Sequence, residues 1–270
     1  MIDTSYRSVS ARLQRMSLPA RFLPTTASLT AAALLWELTG RFLVKSPVLF
    51  VPFSSVIARA VELWREGELQ ANILVSSVEF AGGFILAVVV GIAFGVLMAS
   101  SRFAKYFFEP WVSMLYATPV LALGPLFILW LGIGVASKIA IVFLTAVFPI
   151  LINTTIGLTT TDRTLIEVAR AFGARQQQIF TKIRLPSATP FVIAGLRLGV
   201  ARALVGVVVA ELFGARAGLG FMILTSTQSF DTAAVYVGVL VLAVAGIASV
   251  EFLKWVEKRL VPWRYQEAEE

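Results

Sequence analysis

The stretch AGGFILAVVVGIAFGVLMAS, residues 81–100, decides the fold class of this chain. It carries no charged side chain, and its length is the ~20 residues that an α-helix needs to cross the hydrocarbon core of a bilayer. Counting the segment that contains it, six segments have this character, with approximate limits 27–44, 72–99, 110–131, 135–157, 188–212 and 232–254. The sequence therefore predicts an all-α membrane protein with six transmembrane helices.

The composition leads to the same fold class. Of the 270 residues, 58% are hydrophobic and 14% are charged, with a mean hydropathy of +0.83. Soluble domains carry about 25% charged residues, so this chain lacks the polar side chains to cover itself in water. Basic loops on the cytoplasmic side of a membrane explain the net charge of +7, and no nucleic-acid partner is expected.

The chain contains neither cysteine nor histidine. Their absence excludes disulfide bonds, thiolate nucleophiles, histidine bases and imidazole ligands. An intramembrane enzyme would have to use Asp, Glu, Ser or Lys, and the aspartates near the spans, Asp162 and Asp231, fall in predicted loops. No catalytic residue and no metal site is therefore predicted.

The distribution of Lys and Arg predicts the orientation in the membrane. With the N-terminus inside, the inner segments carry fifteen of these residues and the outer segments carry five. Basic residues concentrate in cytoplasmic loops. Both termini of the predicted multi-pass membrane protein are therefore expected in the cytoplasm, with a basic arm at 1–26, a six-helix domain at 27–257 and a tail at 258–270.

The third predicted span contains Pro119 and Pro125. Proline removes an amide hydrogen from the helical ladder, and its ring disfavours helical geometry in the preceding turn. Such a break is tolerated in a membrane where neighbouring helices satisfy the freed backbone groups. We therefore expect a kinked helix that is packed inside the bundle.

The longest polar loop, residues 158–187, is predicted to face the cytoplasm and to contain a short helix. Thr164 and Glu167 have the spacing of a capping box, which marks a helix start. Apolar residues then recur with helical spacing, and Gly173 follows where a left-handed helix stop is needed. A second short helix is expected over 175–183, and Pro186 suits the entry into the fifth span. The apolar stripe of the first helix comprises Leu165, Val168, Ala169 and Phe172.

A helix of this length is too short to be stable alone in water. One interpretation is a protruding helix that binds in a groove of a cytoplasmic protein. The other is a loop that folds back on the inner face of the membrane. The pattern by itself favours neither.

The same loop resembles a signature of a known family. Glu167-Val168-Ala169, then Gly173, then Ile183-Arg184-Leu185-Pro186 is similar to the E-A-A loop of ABC importer permeases, with the same spacing and with valine in place of the second residue. Other segments are similar to permeases of the nitrate, sulfonate and taurine branch. They are Trp36-Glu37, Gly82-Gly83-Phe84, Pro125-Leu126, Leu131-Gly132-Ile133-Gly134, Gly195-Leu196-Arg197, Val209-Ala210-Glu211, Gly218-Leu219-Gly220 and Pro262-Trp263-Arg264.

The resemblance implies a type I (MetI-like) ABC importer permease. It implies a dimer of two such subunits, two ATPase subunits that bind ATP and Mg²⁺, and an extracytoplasmic binding protein that delivers the solute. Alternating access would then be coupled to ATP hydrolysis through the loop. The coupling residues implied are Leu165, Glu167, Val168, Ala169, Arg170, Phe172, Gly173, Ala174, Ile183, Leu185 and Pro186. This chain lacks a G-x-x-x-x-G-K-[ST] phosphate loop, so it is expected to bind no nucleotide itself.

Charged residues inside the predicted spans are costly in hydrocarbon and normally face a path or a partner. Glu37 and Arg41 are spaced to neutralise each other. For the remaining candidates, Arg197, Arg202, Glu79 and Glu211, two interpretations stay open. Either Glu79 and Arg202 form an interhelical ion pair, or Arg197 or Arg202 offers positive charge to a small anionic solute.

An ion-coupled secondary transporter is the alternative function. It would predict inverted repeats with paired broken helices, and neither pattern is evident in the sequence.

Overall fold

The computed structural model describes residues 18–44 and 46–261, and these residues form α-helices and short turns without β-strands. The predicted arm therefore lies largely outside the described residues, as does the tail beyond residue 261. The helices are α1 (Leu18–Leu38), α2 (Phe53–Arg65), α3 (Glu68–Ser100), α4 (Arg102–Ala117), α5 (Gly124–Leu131), α6 (Val135–Thr159), α7 (Arg163–Ala171), α8 (Gln176–Ile179), α9 (Leu185–Leu212), α10 (Leu219–Gln228) and α11 (Thr232–Leu260). A 3-10 turn, Val120–Leu123, leads into α5.

Within the described residues, four helices are long and apolar enough to cross a membrane, namely α3, α6, α9 with the turns before it, and α11. A fifth span is possible if α4 and α5 count as one bent element. The prediction of six spans is thus not confirmed. The predicted first span falls on α1 and the π-helical turn Thr39–Leu43, and this segment is less apolar because Arg21, Glu37 and Arg41 interrupt it.

The kink predicted in the third span is confirmed, since the axes of α4 and the segment 120–131 differ by 81°. Helix α4 ends at Ala117, directly before the extended residue Thr118 and Pro119. The prediction that this span is packed inside the bundle is wrong for the single chain, because Gly124 is the one buried residue of the predicted span 110–131. Lys105, predicted in a loop, lies in α4 instead.

Helix α6 forms the centre of the bundle and packs along its length against α3 on one side and α9 on the other. Glycines on α3 allow this close approach. A Cβ atom on Gly83 would lie 2.5 Å from Cβ of Val142, and one on Gly95 would lie 2.6 Å from Cβ of Thr154. These small residues thus let α3 and α6 pack closely within the bundle.

The two ends of the bundle carry different short helices. One end carries α7 and is called the α7 end; the opposite end, where α9 leads into α10, is called the α10 end. Helices α2 and α10 were not predicted from the sequence. At the α10 end Val56 and Leu63 of α2 are buried in one apolar cluster with Met222 of α10 and Val237 of α11.

Helix α1 is joined to the bundle at its C-terminal part. The indole of Trp36 donates a hydrogen bond to the carbonyl of Val51 (3.0 Å) and meets the ring of Tyr236 edge-on. Glu37 pairs with Arg41 at 2.5 Å, as the i, i+4 spacing predicts, and also accepts a hydrogen bond from the backbone N–H of Ser54 (2.9 Å). The pair thereby caps the first turn of α2.

Candidate functional site

The short helix in the loop 158–187 begins two residues earlier than the predicted capping box would place it. Helix α7 starts at Arg163, and the carboxylate of Asp162 accepts a hydrogen bond from the backbone N–H of Thr164 (2.8 Å). The predicted capping box of Thr164 and Glu167 is therefore wrong. Asp231 caps α11 in the same way, accepting from the N–H of Ala234 (3.0 Å). Both aspartates near the spans are thus helix caps.

The end of α7 has the predicted left-handed glycine. Gly173 has φ of +75°, its N–H donates to the carbonyl of Arg170, and the N–H of Ala174 donates to the carbonyl of Ala169, both at 2.9 Å. These two bonds form a Schellman motif, which satisfies carbonyls that the end of a helix leaves free. The shape of the loop after α7 therefore depends on a residue that tolerates positive φ.

Helix α7 presents apolar side chains to its surroundings. Ile166 is buried and holds the helix on the bundle, whereas Leu165 and Val168 are 52% and 49% exposed and Phe172, just after the helix, is 87% exposed. Glu167 and Arg170 are exposed beside them, and Ala169 is half-buried. Part of the predicted stripe is thus available to a partner, and the single chain leaves it uncovered.

A glycine substitution tests how far the loop shape matters. No atom lies within 4 Å of a Cβ built on Gly173, so Gly173→Val introduces backbone strain of about 1–2 kcal/mol without a clash. If the loop couples transport to ATP hydrolysis, as the resemblance implies, this variant should insert into the membrane normally and transport less solute per ATP hydrolysed. Gly173→Asn is the control, because asparagine tolerates the left-handed conformation. Equal coupling ratios in wild type and Gly173→Val would contradict the role of the loop shape.

The second part of the loop is continuous with the fifth predicted span, and the two form one long helix. Helix α8 continues through the π-helical turn Phe180–Arg184 into α9, and Pro186 lies in the first turn of α9. The N–H of Leu185 donates to the carbonyl of Phe180, the wider bond of a π-bulge. Ile179 is buried, while Ile183 is half-buried and Leu185 is exposed.

The four charged candidates within the spans have different surroundings. Arg197 forms an ion pair with Glu257 of α11, and the carboxylate of Glu257 is almost completely buried. This contact joins α9 to α11. Glu79 and Arg202 do not form the interhelical pair that was one of the two interpretations: among the described residues, Arg202 forms no ion pair, and Glu79 lies beside Lys138 of α6.

Three ionisable side chains are buried together at the α10 end. Glu211 is 0% exposed, Glu79 is 2% exposed and Lys138 is 3% exposed. The ammonium group of Lys138 donates to the carbonyl of Gly214 (2.9 Å) and so fixes the turn after α9. Hydrogen bonds to backbone and hydroxyl groups compensate the burial of Lys138 and Glu211, whereas one carboxylate oxygen of Glu79 is buried without a hydrogen-bond partner among the described residues.

Glu211 is the centre of a cap for α10. Its carboxylate accepts from the hydroxyl of Ser76 and from the N–H of Gly220. The hydroxyl of Ser76 in turn accepts from the N–H of Leu219 (2.8 Å), and the amide oxygen of Asn72 accepts from the N–H of Gly218 (2.7 Å). Side chains of α3 and α9 therefore satisfy three successive amides at the start of α10.

Arg202 borders a cavity in the middle of the bundle. It is exposed and lies about 26 Å from Leu185 along α9, at 1.5 Å per residue. The cavity has a volume of about 330 Å³ and lies where the break between α4 and α5 faces α6 and α9. Its other lining residues include Tyr116, Thr118, Val120, Leu144, Thr145, Phe148 and Val205. Arg202 is the charged group of this cavity.

A helical membrane bundle with an open cavity halfway along it and a short exposed helix at one end suits a transport permease. Residues 87–262 match the family of binding-protein-dependent transport system inner membrane components. The chain belongs to this family.

Relatives of the chain are also named as transport permeases. The chain is 35% identical over 230 residues to the putative aliphatic sulfonates transport permease protein SsuC of Bacillus subtilis (strain 168), covering 85% of this chain and 83% of that protein. It is 33% identical over 252 residues to the riboflavin transport system permease protein RibX of Chloroflexus aurantiacus, covering 93% of each. It is 28% identical over 241 residues to the taurine transport system permease protein TauC of Escherichia coli (strain K12), covering 87% and 88%.

A solved structure supports the fold. An inward-facing structure of the MetNI methionine ABC transporter matches with a TM-score of 0.57 and 20% identity, over 71% of this chain and 97% of that chain. The protein is therefore a multi-pass inner-membrane permease subunit of an ABC importer for small solutes. It catalyses no reaction itself and acts with an ATPase and a substrate-binding protein.

Proposed function

We propose that this permease imports a small anion such as a sulfonate, and that Arg202 attracts the anion within the membrane. The observation that carries the proposal is an arginine without an ion pair among residues 18–44 and 46–261, on the wall of a cavity at mid-depth. An arginine at the centre of a bilayer costs about 2.5–3.5 kcal/mol on insertion scales, so such a residue normally faces water or a solute.

The chemistry of a guanidinium group suits this role. Its planar array of donors can form two parallel hydrogen bonds to a sulfonate or carboxylate. The hydroxyl groups of Thr118 and Thr145 donate to carbonyls of their own helices, which leaves Arg202 as the strong donor of the cavity. Two of the relatives are named for aliphatic sulfonates and taurine, which also favours a small sulfonate. Arg197 and Glu211 contribute to the packing of the helices instead, since each has partners within the chain.

In this proposal α7 transmits the motion of the ATPase. Leu165, Val168 and Phe172 would contact the ATPase, Ile166 would hold α7 on the bundle, and Gly173 would set the direction of the loop. ATP and Mg²⁺ would be bound by the partner ATPase alone. The permease would act as a homodimer, and the α7 end and both termini would lie in the cytoplasm, as the distribution of basic residues favours.

The remaining coupling candidates have roles within the loop in this proposal. Ala169 and Ala174 take part in the Schellman motif. Glu167 and Arg170 would flank the contact with polar groups. Ile183, Leu185 and Pro186 would connect the loop to α9, so that a displacement of α7 reaches the helix that carries Arg202.

The test is uptake by proteoliposomes that contain the permease with its ATPase and binding protein. An aliphatic sulfonate, taurine and riboflavin are offered as solutes. We expect uptake of a sulfonate, reduced about tenfold or more by Arg202→Gln, because one charge-assisted interaction of about 1.5–3 kcal/mol is lost. Arg202→Lys should retain an intermediate rate, since it keeps the charge without the planar donor array.

The matched control is Arg102→Gln, which removes an exposed arginine from the first turn of α4. It should transport like the wild type. Uptake of riboflavin without uptake of either sulfonate would contradict the anion proposal, and so would unchanged sulfonate uptake in Arg202→Gln.

A further inference from the structure

A second cavity lies between the Arg202 cavity and the α7 end. Its volume is about 350 Å³, and it is bordered by α4 and α6 with a contribution from the end of α3. Thr159, at the end of α6 and next to the coupling loop, is one of its lining residues. The second cavity therefore extends to the part of the bundle from which α7 protrudes.

The walls of the second cavity are polar for a membrane protein. Helix α4 contributes Lys105, Glu109 and Ser113, which follow one another at i, i+4 and i+8, and α6 contributes Thr155 and Thr159. A stripe of this kind is costly against lipid, whereas it is favourable against water or a polar solute. The neighbouring face of α4, with Phe103 and Tyr106, is apolar and exposed.

Tyr116 borders both cavities. It lies one residue before the end of α4, and its ring is 6.3 Å from the ring of Phe148 on α6, with the two planes tilted by 54°. The pair therefore stands between the cavities. Along α4 the distance from Tyr116 to Lys105 is about 16 Å. Lys105 thus lies on the side of Tyr116 that faces the α7 end, and Arg202 lies on the other side.

We propose that the two cavities form one exit path, in which Tyr116 separates the Arg202 cavity from the second cavity and Lys105 receives the anion that has passed Tyr116. The inference rests on the proposed function, because it takes the solute to be an anion. The carboxylate of Glu109 in the same cavity offsets the charge of Lys105. An anion is thereby attracted past Tyr116 without being retained, as conduction requires.

The absence of cysteine makes the path directly testable, because a single introduced thiol is the one site of reaction in this chain. The whole complex is placed in nanodiscs without nucleotide and treated with 2-sulfonatoethyl methanethiosulfonate, an anion, or with its trimethylammonium analogue, a cation. Ser113→Cys reports on the second cavity, Val205→Cys on the Arg202 cavity, and Val89→Cys, exposed on α3 outside both cavities, is the control for a lipid-facing position.

We expect Ser113→Cys to react about 100-fold faster than Val89→Cys, because a charged reagent does not enter hydrocarbon. Because Glu109 offsets Lys105, adding Lys105→Gln leaves a net negative charge and should shift the ratio of the anionic to the cationic rate about tenfold toward the cationic reagent. Labelling of Ser113→Cys as slow as that of Val89→Cys, or a rate ratio that Lys105→Gln leaves unchanged, would overturn the path.

The role of Tyr116 has its own readout. Val205→Cys should react slowly with the anionic reagent, and adding Tyr116→Ala should raise its rate about tenfold while the rate of Ser113→Cys stays the same. Adding Tyr116→Phe should keep the labelling of Val205→Cys slow, and adding Tyr116→Trp should make it slower still. A rate that follows the size of the side chain at position 116 indicates a steric barrier, whereas misfolding would raise the rate in every variant. A rate at Val205→Cys that is independent of residue 116 would refute the separation.

The two proposals can fail separately. Labelling does not depend on which solute is imported, so an intact labelling pattern without sulfonate uptake would leave the path standing and remove the anion proposal. Sulfonate uptake that depends on Arg202, together with an unreactive Ser113→Cys, would support the anion proposal and remove the exit path.

Discussion

Replacing Phe172 with aspartate is expected to release the ATPase subunits from the permease. The phenyl ring is almost fully exposed in the single chain, and burying it at a contact contributes about 1.5–3 kcal/mol. An aspartate in its place would also lose hydration without a partner. The two effects together should weaken binding of the ATPase about 100-fold or more. Binding is measured by titrating the purified ATPase onto the permease in nanodiscs.

Two further variants separate contact from folding. Phe172→Leu should bind the ATPase almost as well as the wild type, because it keeps much of the apolar surface. Phe103→Ala removes an equally exposed aromatic ring from α4 and should have no effect on binding. Full ATPase binding by Phe172→Asp would show that the exposed end of α7 is not the contact.

The features that the sequence predicted well depend on local chemistry. The left-handed stop at Gly173 follows from the ability of glycine to adopt positive φ, and the break near Pro119 follows from the missing amide of proline. The pair of Glu37 and Arg41 follows from the geometry of one helical turn. Each of these needs only a few neighbouring residues, so no knowledge of the tertiary structure is required.

The interhelical contacts could not be predicted in the same way. Counting residues along a helix gives the depth of a side chain but not the direction in which it points. Glu79 was therefore considered as a partner of Arg202, whereas α3 turns this residue toward Lys138. Arg197 illustrates the same difficulty, because its partner Glu257 is in a span that is adjacent only in three dimensions.

Helices α2 and α10 were not predicted because the prediction of spans depends on long apolar segments. Helix α2 has 13 residues and α10 has 10, which are too few to cross a bilayer. In α2 the signal was the helical spacing of Val56 and Leu63, which are both buried. In α10 the signal was the segment Gly218-Leu219-Gly220. Its backbone amides are capped by side chains of other helices, and these partners cannot be identified from the local sequence. The start of α7 differs from the predicted one because Asp162 and Thr164 are both residues that favour the N-cap position, and the structure uses Asp162.

The cap of α10 predicts the largest effect on stability. Gly218 has φ of +124°, and a Cβ atom there would lie 2.3 Å from the carboxyl carbon of Glu211. In Gly218→Ala the carboxylate must move, which breaks its bonds to Ser76 and Gly220 at about 1–3 kcal/mol each, in addition to the backbone strain. The midpoint of thermal unfolding, measured on the purified complex in detergent, should fall by about 10 °C or more.

Two other glycines separate the causes of this loss. A Cβ on Gly134 meets no atom within 4 Å and its backbone is extended, so Gly134→Ala should leave the midpoint unchanged. Gly67 has φ of +80° with open space around it, so Gly67→Ala should show the strain alone, about 1–2 kcal/mol. If Gly218→Ala were no worse than Gly67→Ala, the carboxylate of Glu211 would be free to move, and the buried cluster could not be what holds α10 in place. A loss well beyond that of Gly67→Ala would reflect the displaced carboxylate of Glu211 together with the stronger strain at Gly218, whose φ of 124° and ψ of 162° lie in a region that only glycine adopts readily.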